Sequence, residues 1–452
     1  MFTSRTPFAA MLLALIPALL LPLSAAAQEC PDLSPYFDGQ ESRSQLEWLR
    51  IADELNGLLP QCLESTEYFA LIGAAWLNGG LLPEAAEALE RALLLDAENG
   101  AAQIDYAEAL YRQGQLFAAI ELNEQTLARG DLPGDLRQAL ENRRRQWRDV
   151  TRDTSYQGDF LLGYDSNLNG APDPGQVTLT IAGENVLLAL GEEFQVMSGP
   201  YANIGFAARH RVLEPGQQHN FTAEVQGRVS DDRSTDLLQL DGRYAFARPR
   251  RGGSWQVDTG LRSLAFGGSE LFTAADVRAR YAISPVMTCR PFFDAAAHYQ
   301  FFHGQNWLNA FDSRLGTGLA CPLGDESASY GNLSFEMALL DSQAIKFDRP
   351  GGDRRGWQLA ANWQYPLPMG LLRAVLNHTR LEDRESYSPL LEAGAPRWLN
   401  RSYALLQYRG GTSLGGFPAE VLINFYHQQQ DSNIGLFDTS DTTFEIGLSF
   451  SF

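Results

Sequence analysis

The last nine residues alternate without a break. Phe444, Ile446, Leu448, Phe450 and Phe452 fall on one side of an extended chain, and Glu445, Gly447, Ser449 and Ser451 on the other. Side chains of a strand point alternately to its two faces, so this segment suits a boundary between an apolar medium and a polar one. The same period of two recurs upstream. Phe221, Val225 and Val229 oppose Thr222, Glu224, Gln226 and Arg228, while Leu238, Leu240, Tyr244 and Phe246 oppose Gln239, Asp241 and Arg243. Leu333, Phe335, Met337 and Leu339 oppose Asn332, Ser334 and Glu336; Trp357, Leu359, Ala361, Trp363 and Tyr365 oppose Gln358, Asn362 and Gln364. Fourteen strand-like runs begin near residues 155, 200, 218, 236, 254, 273, 290, 309, 330, 355, 370, 400, 418 and 442. A soluble sandwich can show the same alternation, but its repetition in an even number of runs, with charge confined to one face, is the pattern of a closed barrel with a wet lumen. The prediction for residues 153–452 is a 14-stranded antiparallel transmembrane β-barrel. Its terminal strand, Phe444 to Phe452, would double as the signal read by the barrel assembly machinery.

Residues 41–150 have another texture, rich in Ala, Leu, Glu and Arg at helical spacing. A period of 34 residues matches Gly73 to Ala107, Gly80 to Gly114, Leu82 to Leu116, Ala85 to Ala119 and Leu93 to Leu127. This register resembles the tetratricopeptide repeat, in which small residues stand where paired helices approach closely. Phe69, Ile72, Gly73, Trp76, Ala85, Leu89 and Ala92 occupy its packing positions in the first copy. Ala97 replaces the usual proline, and the second copy has Gln103 and Asn123 where large apolar residues are typical. Segments 44–59 and 134–150 are expected to cap the stack. The fold class expected of the whole chain is α plus membrane β-barrel, a short tetratricopeptide-repeat α-solenoid over residues 28–152 followed by the barrel. The concave face of such a stack would present Glu67, Asn78, Glu108, Tyr111 and Arg112, a groove suited to a short extended segment of a protein client.

Arg5 precedes an apolar run from Phe8 to Leu23 that is broken by Pro17 and Pro22 and ends in Ala25, Ala26 and Ala27. Residues 1–27 therefore read as a signal peptide cleaved near Ala27 and Gln28. No later segment offers about 18 consecutive apolar residues, so any membrane crossing must be made by strands. The mean hydropathy of −0.23 fits a barrel, whose lipid face is hidden in alternation. Residues 28–152 carry 22 acidic and 11 basic side chains, and residues 153–452 carry 33 and 23. Both parts are acidic, which argues against nucleic acid as a partner. Four cysteines on an exported chain imply disulfides. Of the three connectivities, Cys289 with Cys321 is chosen because they open and close adjacent strands at one rim, leaving Cys30 with Cys62 to tie the mature N-terminus to the first helix.

Short turns at Glu214-Pro215-Gly216, Ser284-Pro285 and Pro366-Leu367-Pro368 interleave with longer loops at 342–353, 383–397 and 430–441. Short turns are expected in the periplasm. An even-stranded barrel has both ends on one side, which puts the helical domain in the periplasm and the barrel in the outer membrane. The longest loop, roughly Asp165 to Gly199, then faces outward. Catalytic signatures are missing: no G-x-S-x-G, H-E-x-x-H, phosphate-binding or dinucleotide motif occurs, and no cofactor is implied. His303 and His378 lie near the outer strand ends, where a barrel hydrolase could carry a site, but no spacing joins them to a nucleophile. An enzyme is not expected. Of 35 basic residues only Lys346 is lysine, and Arg349, Arg354, Arg355 and Arg384 in outer loops could hold lipopolysaccharide headgroups in the surrounding outer-membrane lipid.

A signal segment, a short helical repeat domain and a barrel whose first strand ends in Gly163-Tyr164-Asp165-Ser166-Asn167-Leu168-Asn169 together resemble the surface lipoprotein assembly modulator (Slam) family. The resemblance spans the mature chain. It implies an outer-membrane translocon whose periplasmic repeats engage a surface lipoprotein or secreted protein and whose barrel moves or assembles it across the membrane, through a lumen that is acidic and hydrated. Two other readings remain open. Exopolysaccharide export porins also join repeats to a barrel, with many more repeats than two, and a passive small-solute porin could use the helices as a scaffold.

Overall fold

The computed structural model describes residues 30–37, 43–182, 184–324, 331–346 and 349–452. The signal segment 1–27 lies outside the described residues. The chain divides after Trp147 into two compact units.

The first unit contains six helices: α1 (Gln45–Asn56), α2 (Thr66–Gly79), α3 (Leu82–Leu95), α4 (Gly100–Arg112), α5 (Leu116–Leu127) and α6 (Gly134–Val150), the last running into the second unit. Sequence fixes where they start. Ser44 and Glu47 form a reciprocal capping box at α1, and Ser65 and Asn99 cap α2 and α4 through backbone N–H groups. α2 pairs with α3 and α4 with α5, so the 34-residue period corresponds to one helical hairpin. Gly80 and Gly114, one period apart, both take left-handed backbone, at φ 84° and 81°, to make the turn inside each hairpin. A Cβ on Gly73 would lie 2.6 Å from the Leu89 side chain, so α2 and α3 approach closer than any larger residue allows. Asn123 is buried and donates to the Leu140 carbonyl of α6 at 3.2 Å, which accounts for a polar residue where an apolar one is usual.

The second unit is a closed antiparallel barrel of fourteen strands. These are β1 (Arg152–Asp165), β4 (Gly199–Glu214), β5 (Gln217–Ser230), β6 (Leu237–Arg250), β7 (Gly253–Phe266), β8 (Ser269–Ile283), β9 (Arg290–Phe302), β10 (Ala310–Leu323), β11 (Gly331–Ala344), β12 (Arg354–Leu367), β13 (Gly370–Ser386), β14 (Pro396–Leu414), β15 (Phe417–Ser432) and β16 (Thr439–Ser451). A separate hairpin, β2 (Gln176–Ile181) with β3 (Glu184–Ala189), lies between β1 and β4. β1 pairs with β4 on one side and closes onto β16 on the other, from Gln157 opposite Ser451 to Asp165 opposite Thr443. No described helix is long and apolar enough to cross a membrane. The strands carry that capacity: Leu162, Ile204, Leu261, Leu315, Leu339 and Leu376 point outward and are more than half exposed, a belt that only lipid can cover.

The links alternate in length over much of the barrel. Pro215-Gly216, Arg251-Gly252, Pro368-Met369 and Gly415-Gly416 are tight turns on one rim, where β1 begins and β16 ends. The opposite rim carries the longer loops, but strands reach further into them than expected, leaving 345–353, 387–395 and 433–438. On this long-loop rim, however, β7 joins β8 through Gly267-Gly268 alone, and on the other rim β8 joins β9 through residues 284–289 rather than the short turn expected at Ser284-Pro285. The longest connection, read from the sequence as a loop, contains two strands of its own. Its β2 and β3 hairpin contributes Val177 and Leu179 to a small apolar core with Tyr387, Leu391, Ile434 and Phe437.

Candidate functional site

The Gly163 to Asn169 segment lies where the first strand meets the last. Glu445 of β16 is buried on the lumenal side and accepts hydrogen bonds from Tyr201 Oη of β4 at 2.7 Å, Asn203 Nδ2 of β4 at 3.2 Å and Asn424 Nδ2 of β15 at 2.9 Å. One carboxylate thereby ties both neighbours of the closing pair together across β1. Gly163 stands opposite both Tyr201 and Glu445, and a Cβ there would sit 2.5 Å from the tyrosine ring. Glycine is required for the tyrosine to cross.

The residues that follow fasten the loop above. Asp165 pairs with Arg228 at 2.9 Å and accepts from the Asn167 backbone at 2.7 Å. The Thr442 backbone donates to Ser166 Oγ at 2.7 Å, and Asn167 Nδ2 donates to the carbonyls of Ala171 and Ser440. Asn169 bonds the backbone of Gln195 and Met197 at the far end of the connection, and Tyr164, facing outward, donates to Ser198 Oγ at 3.2 Å. Every polar side chain of the motif is used locally, as a buckle between β1, β16 and the long connection.

The lumen wall from β8 to β11 holds a second network. Arg278 meets Asp294 at 3.1 Å and Glu336 at 2.9 Å, Arg280 meets Glu336 at 3.0 Å, and Arg314 pairs with both carboxylates. Toward the long-loop rim this wall opens into a chamber of about 750 Å³, lined by Arg314, Arg349, Arg354, Arg397 and Arg401. In this chamber the acidic lumen expected from the sequence is not found, since the five arginines outnumber Asp312 and Asp341 in its lining. Alternation could place arginines inside but not reveal that five, from β10, β12, β14 and one loop, converge. Arg349 is buried and donates to Ser342 and to the Gly352 carbonyl, and Arg354 pairs inward with Asp383 at 3.0 Å, so neither is available to a lipopolysaccharide headgroup. Arg355 and Arg384 instead meet Asp341, at 3.1 and 2.9 Å.

In the helical unit, Glu108 and Arg112 form an ion pair along α4 at 2.8 Å, and Tyr111 stacks on Trp147 of α6 with centroids 4.8 Å apart. Arg143 lies over the Trp147 ring and 3.9 Å from Glu108. Burial raises the nearby Asp105 carboxyl to about 6, with Arg143 opposing the rise and Glu108 adding to it. Asn78 turns back to the Ala74 carbonyl, and Glu67 sits in the first turn of α2. The structure therefore sets Glu108 and Tyr111 against α6, holds Arg112 on Glu108, and leaves Glu67 and Asn78 on another helix.

Cys30 is bonded to Cys62, with Cα atoms 4.7 Å apart, and Cys289 to Cys321, with Cα atoms 4.2 Å apart. On β16, Phe444 and Ile446 are exposed on the outward face, and Phe452 exchanges backbone hydrogen bonds with Tyr156. His378 Nδ1 lies 3.0 Å from Ser402 Oγ, and His303 Nε2 lies 3.0 Å from Thr273 Oγ1. His210, His219 and His427 meet Thr154, Tyr244 and Thr442 in the same way. Five of six histidines share this pairing with a hydroxyl, which marks it as a way of satisfying imidazoles rather than as one activated nucleophile.

No family model and no curated protein matches the sequence. Solved structures that resemble the chain include a bacterial polysaccharide outer membrane secretin, at 8% identity over 65% of this chain and 98% of that one, with a TM-score of 0.33. Pseudomonas putida OprB gives 8% identity, 69% and 97% coverage and a TM-score of 0.35, and a Pseudomonas aeruginosa FadL homologue 9%, 66% and 90%, and 0.33. Similarity at this level does not extend to function.

Proposed function

We propose that the chain is an outer-membrane transport barrel that moves or assembles a protein client, a surface lipoprotein or a secreted protein, with its helical unit in the periplasm acting as tetratricopeptide-like repeats that engage the client. The observation that carries this reading is the joining, in one chain, of stacked helical hairpins to a closed barrel entered at its short-turn rim. The likeness of Gly163 to Asn169 to the Slam family gives the client its class. Glu67, Asn78, Glu108, Tyr111 and Arg112 are the residues proposed to meet it. No nucleotide supply exists in the periplasm, so client binding inside and client folding outside drive passage. The reading makes the protein a carrier, not an enzyme. Surface proteolysis of candidate lipoproteins in cells with and without the protein tests it. Loss of surface-exposed client on deletion is expected, and an unchanged surface proteome overturns it.

A second reading, a small-solute channel, is favoured by the arginine-lined chamber. Steady, solute-selective conductance in planar bilayers, with no client found, would establish it. Polymer secretion that stops on deletion would point instead to exopolysaccharide export.

A further inference from the structure

We propose that the chamber in the long-loop half of the lumen is a binding site for a small organic carboxylate with an apolar body, a property independent of any protein client. The chain as a whole carries a net charge of −20, whereas this chamber sets five arginines against two lining aspartates, Asp312 and Asp341, a local reversal of sign. Most of these arginines share carboxylates. Asp383 serves both Arg354 and Arg397, at 3.0 and 3.1 Å, and Asp294 and Glu336 serve Arg314 together with Arg278 and Arg280. Two are bonded only to neutral acceptors in the described residues: Arg349 to Ser342 and the Gly352 carbonyl, and Arg401 to Gln430 Oε1 at 3.0 and 2.6 Å. Arg349 has Asp312, Asp353 and Asp383 in its wider surroundings, of which Asp312 is held by His298 at 3.3 Å and Asp383 by Arg354 and Arg397. Arg401 is the exposed member of the set, projecting from β14 into the cavity.

Such a guanidinium presents a planar fork that a carboxylate can take with two hydrogen bonds, and in a confined space that pairing is stronger than in bulk water. The remaining walls choose the rest of the ligand. Leu308, Leu340, Leu381 and Leu399 add apolar surface to the lining, and Tyr387 and Phe437 pack on Arg397 within it. A volume of about 750 Å³ accommodates a metabolite rather than a folded domain. Cationic and apolar surfaces meeting in one pocket fit an aryl or alkyl carboxylate better than an inorganic anion.

The test uses the full chain purified in detergent, with benzoate as probe and benzyl alcohol as its uncharged analogue, followed by isothermal titration. Saturable benzoate binding, with benzyl alcohol at least about tenfold weaker, is expected. Arg401→Gln should weaken benzoate by about tenfold or more, Arg401→Lys, which keeps the charge but loses the fork, should recover only part of the loss, and Arg209→Gln, on β4 near the other rim, should change nothing. Heat-modifiable migration on gels verifies that each variant keeps a folded barrel. Equal binding of the two probes, or none of benzoate, on the unaltered protein overturns the proposal even if a variant fails to fold. Unchanged benzoate affinity in a folded Arg401→Gln barrel overturns it as well. Neither result bears on the surface-proteolysis test of client transport.

Discussion

Glu445 and Gly163 show what local pattern can and cannot disclose. The alternation around Phe444 already puts Glu445 on the wet face, yet its partner Tyr201 lies 244 residues away, and no periodicity links the two. Replacing the carboxylate with Ala strands three buried donors, at a cost of about 2 to 4 kcal/mol. Glu445→Ala is therefore expected to lower the temperature at which the folded gel band converts to the unfolded one, and Gly163→Ala to do the same by pushing Tyr201 off its acceptor. An unaltered conversion temperature for both would show that the seam is held by its backbone ladder alone. Asp105 gives a prediction with a sign. Its folded pKa of about 6 exceeds the ordinary aspartate value of 3.8, so the penalty of burying the charge is full above pH 6 and disappears as pH falls toward 4. The helical unit should resist protease better at pH 5 than at pH 7.5. Asp105→Asn should remove that dependence and stabilise the unit at neutral pH by about 1 to 3 kcal/mol. A wild-type protease resistance that does not change with pH would contradict this.

Barrel strands were legible at the scale of the element because alternation is imposed by the medium on both faces, and every one of the fourteen runs has a counterpart among the paired strands. The β2 and β3 hairpin was not. Val177, Leu179 and Ile181 also alternate, but they stand among prolines and glycines, and their apolar partners Leu391 and Ile434 come from loops far along the chain. Helix pairing followed from the spacing of small residues, whereas the role of Asn123 required knowing that α6 folds back beside it. The Cys30 to Cys62 bond closes a loop of 32 residues at the edge of the helical unit, and loop entropy assigns it about 3 to 4 kcal/mol. Cys30→Ser with Cys62→Ser should speed proteolysis of the helical segment in the whole protein, and reductant should do the same to the parent chain but not to the variant. At the other end, removal of Phe452 eliminates its paired hydrogen bonds to Tyr156 and the last aromatic of the proposed assembly signal. Membrane-inserted, heat-modifiable barrel should decrease, and a normal yield would assign recognition to residues further upstream.

For the molecule as a whole, the question is how a barrel with so much side-chain bonding in its lumen passes anything. The long-loop end is fastened by a few contacts among strand ends, loops and the hairpin. Arg397 is buried between the rings of Tyr387 and Phe437, 4.3 Å from each, while pairing with Asp383, and the Thr180 backbone of the hairpin donates to the Leu390 carbonyl at 2.8 Å. Tyr387 and Phe437 are also walls of the arginine chamber, so the hairpin's grip on loops 387–395 and 433–438 bears directly on access to it. Deleting residues 176–189 takes Val177 and Leu179 out of the shared core while leaving all fourteen barrel strands intact. Those loops keep Leu391, Ile434, Tyr387 and Phe437 but lose the buried Val177 they pack on, so loss of the hairpin moves their local opening toward the low-stability end of the structure. The deletion is expected to raise single-channel conductance in planar bilayers severalfold, with heat-modifiable migration preserved. Conductance equal to that of the parent chain would mean that the lumenal arginine and carboxylate network, not the loops, limits passage, and Arg314 rather than Arg397 would be the residue to change next.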